Sequence, residues 1–306
     1  VMYNTPPQYH VRGAAINVIL KGYKPGEGGL QGEINGNYVQ ANKAGEEGGV
    51  TFAYLSPKLD IDFMYNLNNH YNRQGYKLIT RHTLNDEIHN ISQSTNGENR
   101  QLVHTFRLGG NYKFNEQSQL GLSYTSSLNP DKQQSVTSSD NHSTTFNHAP
   151  AEEQMHNVAL NYTSGFGLTG GIDYTYFRNQ EEQSFRSIEN NGQETTFLSN
   201  TAQYINRWKV YVDQNHTLSN AWVLNYGTSF TYVNNHNSQR YNLAAMSGMN
   251  KESRVDEYTY NLYTGFEKNF GSQWSLNASA SIEYYQMMSY KKWAIYPTLN
   301  LSYVLS

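Results

Sequence analysis

The chain has 306 residues, no cysteine and a formal net charge of -3. Without cysteine there is no disulfide framework or thiolate metal site, and the near balance of charges gives no reason to expect nucleic acid as a partner. Mean hydropathy is -0.75, and no uncharged apolar run approaches the ~20 residues that a membrane-spanning helix needs. A helical membrane protein is therefore excluded. A membrane β-barrel is not, because half of each barrel strand is polar.

Strands of alternating polarity recur along the chain from about Gly29 onwards. The segment 59–68 is the first clear one, and the pattern returns at 104–114, 120–125, 157–163, 168–176, 222–232, 258–270 and 293–303. In the clearest case, apolar residues from Trp274 to Tyr284 alternate with polar residues from Ser275 to Glu283. Successive strand side chains point to opposite faces, so each strand has one apolar and one polar face. About twelve strands are expected up to Ser306.

The predicted connections alternate in length. Short turns are expected at 56–58, 115–118, 164–167, 219–221 and 271–273, and long polar loops at 74–99, 128–152, 180–203 and 235–254. Short turns at one end and long loops at the other are typical of outer-membrane barrels. Aromatic residues flank the short turns, as expected where such a barrel meets the periplasmic membrane surface: Tyr54, Phe114, Trp222, Phe270 and Trp274.

A soluble β-sandwich or up-and-down barrel also alternates, but it carries Lys and Glu on its outward face and bulky residues inside. Here the polar face is mostly Asn, Ser, Thr and Gly, and the apolar face is rich in Tyr and Trp. Tyr and Trp suit a surface that is apolar along the ring and wet at its tip. The predicted fold class is therefore all-β: an antiparallel transmembrane β-barrel in the outer membrane of a Gram-negative cell, surrounded by membrane lipid.

No catalytic constellation is visible, so we expect no enzyme activity, no cofactor and no resident metal. His142 and His148 share one predicted loop and could approach a metal, but a solvated loop is the simpler interpretation. The acidic pair Asp60/Asp62 is interpreted as a lumen-facing stripe and the pair Glu181/Glu182 as a solvated extension of a strand. Neither makes an acid–base dyad without a facing partner. Aromatic residues in the predicted loops either contact a ligand at the barrel mouth or pack loop on loop: Tyr76, Phe146, Phe185, Tyr204 and Tyr241.

The first 24 residues do not alternate. Residues 4–21 read NTPPQYHVRGAAINVILK. This segment resembles the end of the plug domain of TonB-dependent outer-membrane receptors of the outer membrane protein beta-barrel family. In that family an Asn-Pro-Pro-x-x-Tyr segment leads through a glycine patch into an Ile-Asn-Ile-x-Leu-Lys strand. Ala14 and Ala15 stand where relatives usually carry more glycine. The residues that carry the resemblance are Asn4, Pro6, Pro7, Tyr9, Gly13 and Asn17.

The resemblance implies that residues 1–24 are the C-terminal tail of a plug and that residues 25–306 are part of a barrel of about 22 strands. It implies import of a scarce nutrient: an iron chelate, cobalamin, a glycan or a peptide. The TonB complex would engage a region upstream of Val1, and a surface lipoprotein is a further candidate partner. Residues 4–21 are expected inside the barrel or against its wall, because two prolines would leave gaps in a ladder.

Two other functions remain open. A passive small outer-membrane channel of about twelve strands would close on itself, whereas a surface adhesin or binding barrel would use its long loops without TonB. In the receptor the first strand (about 29–40) and the last (about 292–305) pair with other strands, because an open sheet edge in a bilayer leaves backbone groups unpaired. The pairing of these two strands therefore discriminates the receptor from the channel.

Overall fold

The computed structural model describes residues 28–40, 43–84, 87–271 and 273–303. The predicted plug-tail residues within 4–21 lie outside the described residues. Twelve strands form one antiparallel sheet in which each strand pairs with its chain neighbours, which confirms the predicted fold class. The strands are β1 (Gly29–Gln40), β2 (Ala44–Leu55), β3 (Leu59–Leu84), β4 (Glu87–Lys113), β5 (Gln119–Ser139), β6 (Ser143–Thr163), β7 (Leu168–Glu189), β8 (Glu194–Thr217), β9 (Trp222–Tyr241), β10 (Lys251–Phe270), β11 (Trp274–Met287) and β12 (Tyr290–Tyr303).

Helix is limited to two short 3₁₀ segments among the described residues, Ser219–Ala221 and Ala244–Met249. In this part of the chain no helix has both the length and the apolar character needed to cross a membrane.

The two ends of the sheet differ as the sequence predicts. The short connections after β2, β4, β6, β8 and β10 all lie at one end, because neighbouring strands are antiparallel. We call this the turn end. The connections after β1, β3, β5, β7, β9 and β11 lie at the other end, the hairpin end. The predicted topology of the turns is confirmed.

The predicted long loops are built differently from expectation. Most of 74–99, 128–152 and 180–203 continues the strands as long hairpins, whose register is paired almost to the tip. Residues 242–250, with the second 3₁₀ segment, do form an irregular connection. The apolar alternation stops where both faces of a hairpin meet water, but backbone pairing continues without it. The loss of the pattern therefore marked where the apolar surface ends and did not mark the end of the strands.

Prolines explain where the ladders shift register. Pro130 lies in a register shift between β5 and β6, and Pro150 of β6 pairs with Gln133 just beyond that shift. Proline has no N–H to donate, so it is found at bulges and edges of sheets. Nearby, the buried Asn129 Oδ1 accepts a hydrogen bond from the Leu102 N–H at 3.3 Å, next to a second shift between β4 and β5. These breaks lie at one level across β4 to β6, where the apolar alternation ends.

Burial in this sheet is inverted relative to a soluble protein. The buried side chains of the polar face include Tyr263, Asn225 and Asp213, each less than 7 % exposed, whereas Ile34 on the apolar face is 83 % exposed. On β11, Trp274 and Ile282 lie on the exposed face, and Asn277 donates to Glu267 Oε1 on the opposite, polar face at 2.9 Å. The predicted orientation of β11 is therefore confirmed. We call the apolar surface the outer face and the polar surface the inner face.

The sheet has two open edges. Among the described residues, β1 pairs only with β2 and β12 only with β11. No ladder joins 34–38 to 299–303. Leu299 on β12 is 74 % exposed, so neither edge is covered by the other.

Replacing Gly167 by alanine is expected to lower the free energy of unfolding by about 3 kcal/mol. Gly167 has φ +89°, and an added Cβ would lie 2.2 Å from the Asn215 carbonyl oxygen. Gly192 is the matched control, since its φ is +87° but a Cβ there meets nothing within 4 Å. Gly192→Ala should cost only about 1 kcal/mol of backbone strain. Urea unfolding of both variants in lipid vesicles measures the difference, and equal losses would contradict the proposed clash.

Candidate functional site

A lower belt of aromatic residues follows the outer face at the turn end. Neighbouring rings touch: Tyr112 and Phe114 lie 5.1 Å apart between centroids, and Trp274 and Tyr303 lie 4.7 Å apart. The belt contains the predicted aromatic residues beside the short turns and adds others: Tyr54, Tyr112, Phe114, Tyr162, Trp222, Phe270, Trp274 and Tyr303. Aromatic residues in such a row are typical of a membrane–water interface.

An upper belt of aromatic residues and histidines crosses the outer face nearer the hairpin end. This belt was not predicted from the sequence. Histidines join it: the Tyr65 hydroxyl lies 2.9 Å from His104 Nδ1, and the Tyr124 hydroxyl lies 2.8 Å from His156 Nδ1. Its signal in the sequence is the recurrence of Tyr, His or Trp on the apolar face, between 6 and 13 residues from each short turn. The upper belt comprises Tyr65, His104, Tyr124, His156, Tyr176, Trp208, Tyr232, Tyr258, Tyr284 and Trp293.

The spacing of the belts matches a membrane. On β11, Trp274 belongs to the lower belt and Tyr284 to the upper, so they are separated by about 34 Å along a strand rising about 3.4 Å per residue. A strand tilt of about 45° reduces this to an apolar band about 24 Å tall, close to the ~25 Å of outer-membrane barrels. An apolar band of this height, exposed on one face of a sheet, indicates that the sheet lies in a membrane. The chain is an outer-membrane β-sheet protein. The turn end is therefore periplasmic and the hairpin end extracellular.

The inner face carries paired charges. Asp60 and Asp62 each face a cation from β4: Lys113 Nζ lies 2.7 Å from Asp60, and Arg107 Nε lies 2.9 Å from Asp62. Further along, Asp173 accepts hydrogen bonds from Arg207 and Asn157, each at 3.0 Å. The predicted lumen-facing stripe at 60/62 is therefore an ion-paired wall.

Two tyrosines of the inner face reach across an intervening strand. The Tyr263 hydroxyl on β10 donates to Asp213 Oδ1 on β8 at 2.7 Å, passing over Gly227 of β9. The Tyr211 hydroxyl on β8 donates to Asn161 Oδ1 on β6 at 2.8 Å, passing over Gly171 of β7 in the same way. Each contact spans three strands because the glycine on the middle strand leaves room for the tyrosine ring to lie over it. Sequence reasoning missed these bridges, although glycine at a strand's polar position often indicates a close approach by another group.

An aromatic cluster lies on the inner face at the extracellular end, formed by Phe185, Phe197 and Tyr241. Phe185 and Phe197 stack with centroids 4.7 Å apart and planes 24° apart. Tyr241 meets Phe197 edge-on at 5.9 Å. The cluster spans β7, β8 and β9. The loop beside it is fixed by Asn242 Oδ1, which accepts from the Leu198 N–H at 2.7 Å.

Two of the five aromatic residues predicted to contact a ligand, Phe185 and Tyr241, thus come together, and the structure adds Phe197. The other three lie elsewhere. Tyr76 is 60 % exposed on β3, four strands from β7. Phe146 occupies a position of the outer face. Tyr204 also lies on the outer face, where it stacks on His236 at 6.1 Å.

A polar cavity of about 570 Å³ crosses β5 to β9 near the proline breaks. Four carboxylates and two cations line it, so its charge is mainly negative. The charged lining residues are Asp131, Glu152, Glu181, Glu182, Lys132 and Arg240. The predicted pair Glu181/Glu182 therefore lies in a cavity wall. Such a lining favours cationic or uncharged hydrophilic solutes over anionic ones.

The two predicted loop histidines do not meet. His148 Nδ1 lies 2.8 Å from the Ser135 hydroxyl, while the His142 N–H donates to Asp140 Oδ1 at 2.8 Å in the hairpin turn. No group of three metal-ligating side chains occurs within the described ranges.

A cluster of charges joins the start of β2 to the β3–β4 hairpin. The Tyr71 hydroxyl donates to Glu98, and Lys43 Nζ lies 4.2 Å above the Tyr71 ring and 3.8 Å from the Glu98 carboxylate. The Tyr71 hydrogen bond, helped by the charges of Lys43 and Arg73, holds the pKa of Glu98 below its usual value. Glu98 is therefore ionised at neutral pH and ties these extracellular segments together.

The tip of the β7–β8 hairpin is expected to loosen in acid. Arg186 donates to both carboxylate oxygens of Glu194, at 2.8 and 3.0 Å, and these hydrogen bonds lower the pKa of Glu194 below its ordinary 4.5. The pair stabilises the tip fully above the unfolded pKa and loses this contribution as the pH falls through the lowered folded value. The protection factors of the backbone amides at the tip, which correct for the intrinsic exchange rate at each pH, should therefore fall as the pH is lowered from 7 through the folded pKa of Glu194. Glu194→Gln should remove that pH dependence, and a variant that keeps it would contradict this assignment.

Comparisons with known proteins give only distant likenesses. No family model and no curated protein matches the chain. Among solved structures, it is similar to the ferric citrate transporter FecA in its unliganded form, at 8 % identity and a TM-score of 0.35, over 85 % of this chain and 45 % of that one. The chain thus spans about half the length of FecA.

Two further solved structures are similar over most of their length. The translocator domain of the autotransporter NalP from Neisseria meningitidis is 10 % identical, with a TM-score of 0.26, over 90 % of this chain and 86 % of that one. A loop-deletion mutant of OmpT, an outer-membrane protein of Vibrio cholerae, is 13 % identical, with a TM-score of 0.28, over 88 % and 97 %. The physical argument for the outer membrane remains the exposed apolar band between two aromatic belts.

Proposed function

We propose that this chain is part of an outer-membrane receptor that imports a scarce nutrient with energy from the TonB system. The observation that carries the proposal is the open sheet, in which β1 and β12 do not pair with each other. In a bilayer each unpaired backbone group costs several kcal/mol. Further strands that complete a wider barrel satisfy both edges, whereas a closed twelve-stranded channel requires a ladder between β1 and β12.

The inner face supports a plugged lumen. Its carboxylates already have cationic or amide partners, as at Asp62–Arg107 and Asp173–Arg207. A wall that is polar and internally paired can pack against a folded plug without leaving buried charges unpaired. The resemblance of residues 4–21 to a plug tail supports the same interpretation.

The aromatic cluster is the proposed first contact for the cargo. Stacked rings at the extracellular end of the inner face offer flat apolar surfaces to a ring-bearing or planar solute. The cargo classes remain an iron chelate, cobalamin, a glycan or a peptide. Phe197→Ala should weaken uptake at low cargo concentration by about fivefold. Phe146→Ala, on the outer face, is the control and should leave uptake unchanged.

Uptake in intact cells tests the proposal. Radiolabelled ferric chelates, cobalamin, oligosaccharides and peptides are supplied to cells with the gene intact, with the gene deleted, and with TonB inactivated. We expect uptake of one class to require both the gene and TonB. Uptake that needs the gene but not TonB would identify a passive channel. Cell-surface binding that needs the gene, without entry of any class, would identify an adhesin.

A further inference from the structure

Lys268 stands out on the outer face. Between the two belts, and within the described residues, it is the only Lys, Arg, Asp or Glu whose position in the register faces outward. It lies on β10 beside Trp222 of β9, in the last pair of that ladder, and beside Leu276 of β11, two residue pairs above the last pair at the periplasmic turn. A charge on a lipid-facing surface is costly unless it reaches the headgroup level.

The contacts of Lys268 leave its charge for an external partner. The Nζ lies 4.9 Å from the centroids of both the Trp222 and the Phe270 rings. No carboxylate forms an ion pair with it in the described part of the chain. Aromatic faces position an ammonium group without neutralising it. An anionic group at headgroup depth is the complementary partner.

An apolar groove begins at the same place. A cavity of about 440 Å³ is lined by Leu218, Ser219, Trp222, Phe266, Leu276 and Ala278. Ala278 and the next outward residue, Ala280, form a low floor on β11 that leads toward the middle of the membrane band. The bulkier Ile282 follows, 41 % exposed. The groove therefore runs along the outer surface of the sheet and is open to the bilayer. One end lies near Lys268, which contacts the Trp222 ring that lines the cavity.

We propose that this groove binds one anionic phospholipid of the periplasmic leaflet, with its phosphate on Lys268 and one acyl chain over Ala278. The charge and the apolar floor are placed in the order that such a lipid requires, with the phosphate at the periplasmic level and the chain toward the bilayer centre. The bound lipid covers part of the outer face of β9, β10 and β11. This inference is independent of the proposed cargo.

Native mass spectrometry of the delipidated protein, titrated with dioleoylphosphatidylglycerol, tests the site. Lys268→Gln should weaken binding of the first lipid by about fivefold. Lys291→Gln, an outward lysine at the extracellular end of β12, is the matched control and should retain wild-type affinity. Ala278→Leu fills the groove and should also weaken binding, whereas Val158→Leu on β6 should not.

Three results would overturn the proposal. The first is wild-type affinity in Lys268→Gln. The second is an equal loss in Lys268→Gln and Lys291→Gln, which indicates general charge attraction. The third is binding of soluble glycerol phosphate as tight as that of the lipid, which leaves the groove without a role. Retained resistance to SDS before heating confirms that each variant is folded.

Discussion

Gly227→Ala is expected to lower the free energy of unfolding by about 3 kcal/mol. A Cβ at this position would lie 2.2 Å from Asp213 Oδ1 and 2.8 Å from Tyr263 Cε1. The tyrosine must then move and lose its hydrogen bond to a carboxylate that is 6 % exposed. Donors to a buried charge contribute more than neutral hydrogen bonds do, so the clash and the lost bond act together. Urea unfolding in lipid vesicles measures the change.

Gly110→Ala is the matched control, because a Cβ at this strand glycine meets nothing within 4 Å. It should change stability by less than about 0.5 kcal/mol. Tyr263→Phe removes only the hydroxyl and should cost about 2 kcal/mol. If Gly227→Ala and Gly110→Ala unfold alike, the tyrosine bridge does not shape the inner face.

Ala280→Arg is expected to destabilise the membrane-inserted protein by about 3 kcal/mol. Ala280 lies on the outer face between Trp274 of the lower belt and Tyr284 of the upper belt, so an arginine there meets lipid near the middle of the apolar band. The measurement is the free energy of unfolding from lipid vesicles, together with the folded fraction after insertion.

Ser281→Arg provides the comparison, since the neighbouring residue faces the inner side, opposite Tyr263 and Tyr296. An arginine on the polar side should cost less than about 1 kcal/mol. Reversal of the two effects would show that the faces are assigned the wrong way round.

The alternation of polarity was sufficient to predict the strands and their faces within the membrane band. On β11 each outward residue from Trp274 to Tyr284 could be named from sequence because lipid on one side and a polar lumen on the other impose a strict period of two. The turns followed because Gly, Asn and Ser interrupt that period at regular spacing.

The extracellular hairpins could not be predicted by the same reasoning. Where both faces of a hairpin contact water, no apolar periodicity distinguishes a strand from a loop, so 74–99 resembled a loop although β3 and β4 pair nearly to its tip. The candidate site was found only in part for the same reason. Phe185 and Tyr241 stood out as aromatic residues in polar surroundings, but their approach through Phe197 depends on the register of β7, β8 and β9.

The central claim is that this sheet faces lipid with its apolar side and water with its polar side. The natural chain has no cysteine, so single cysteines introduced at positions 274–284 can each carry a nitroxide label in lipid vesicles. Electron paramagnetic resonance then measures collision with oxygen, which concentrates in lipid, and with a polar nickel chelate, which remains in water. We expect oxygen collisions to dominate at even positions and to fall at odd positions. Accessibility without a period of two, or with the opposite phase, would contradict the account.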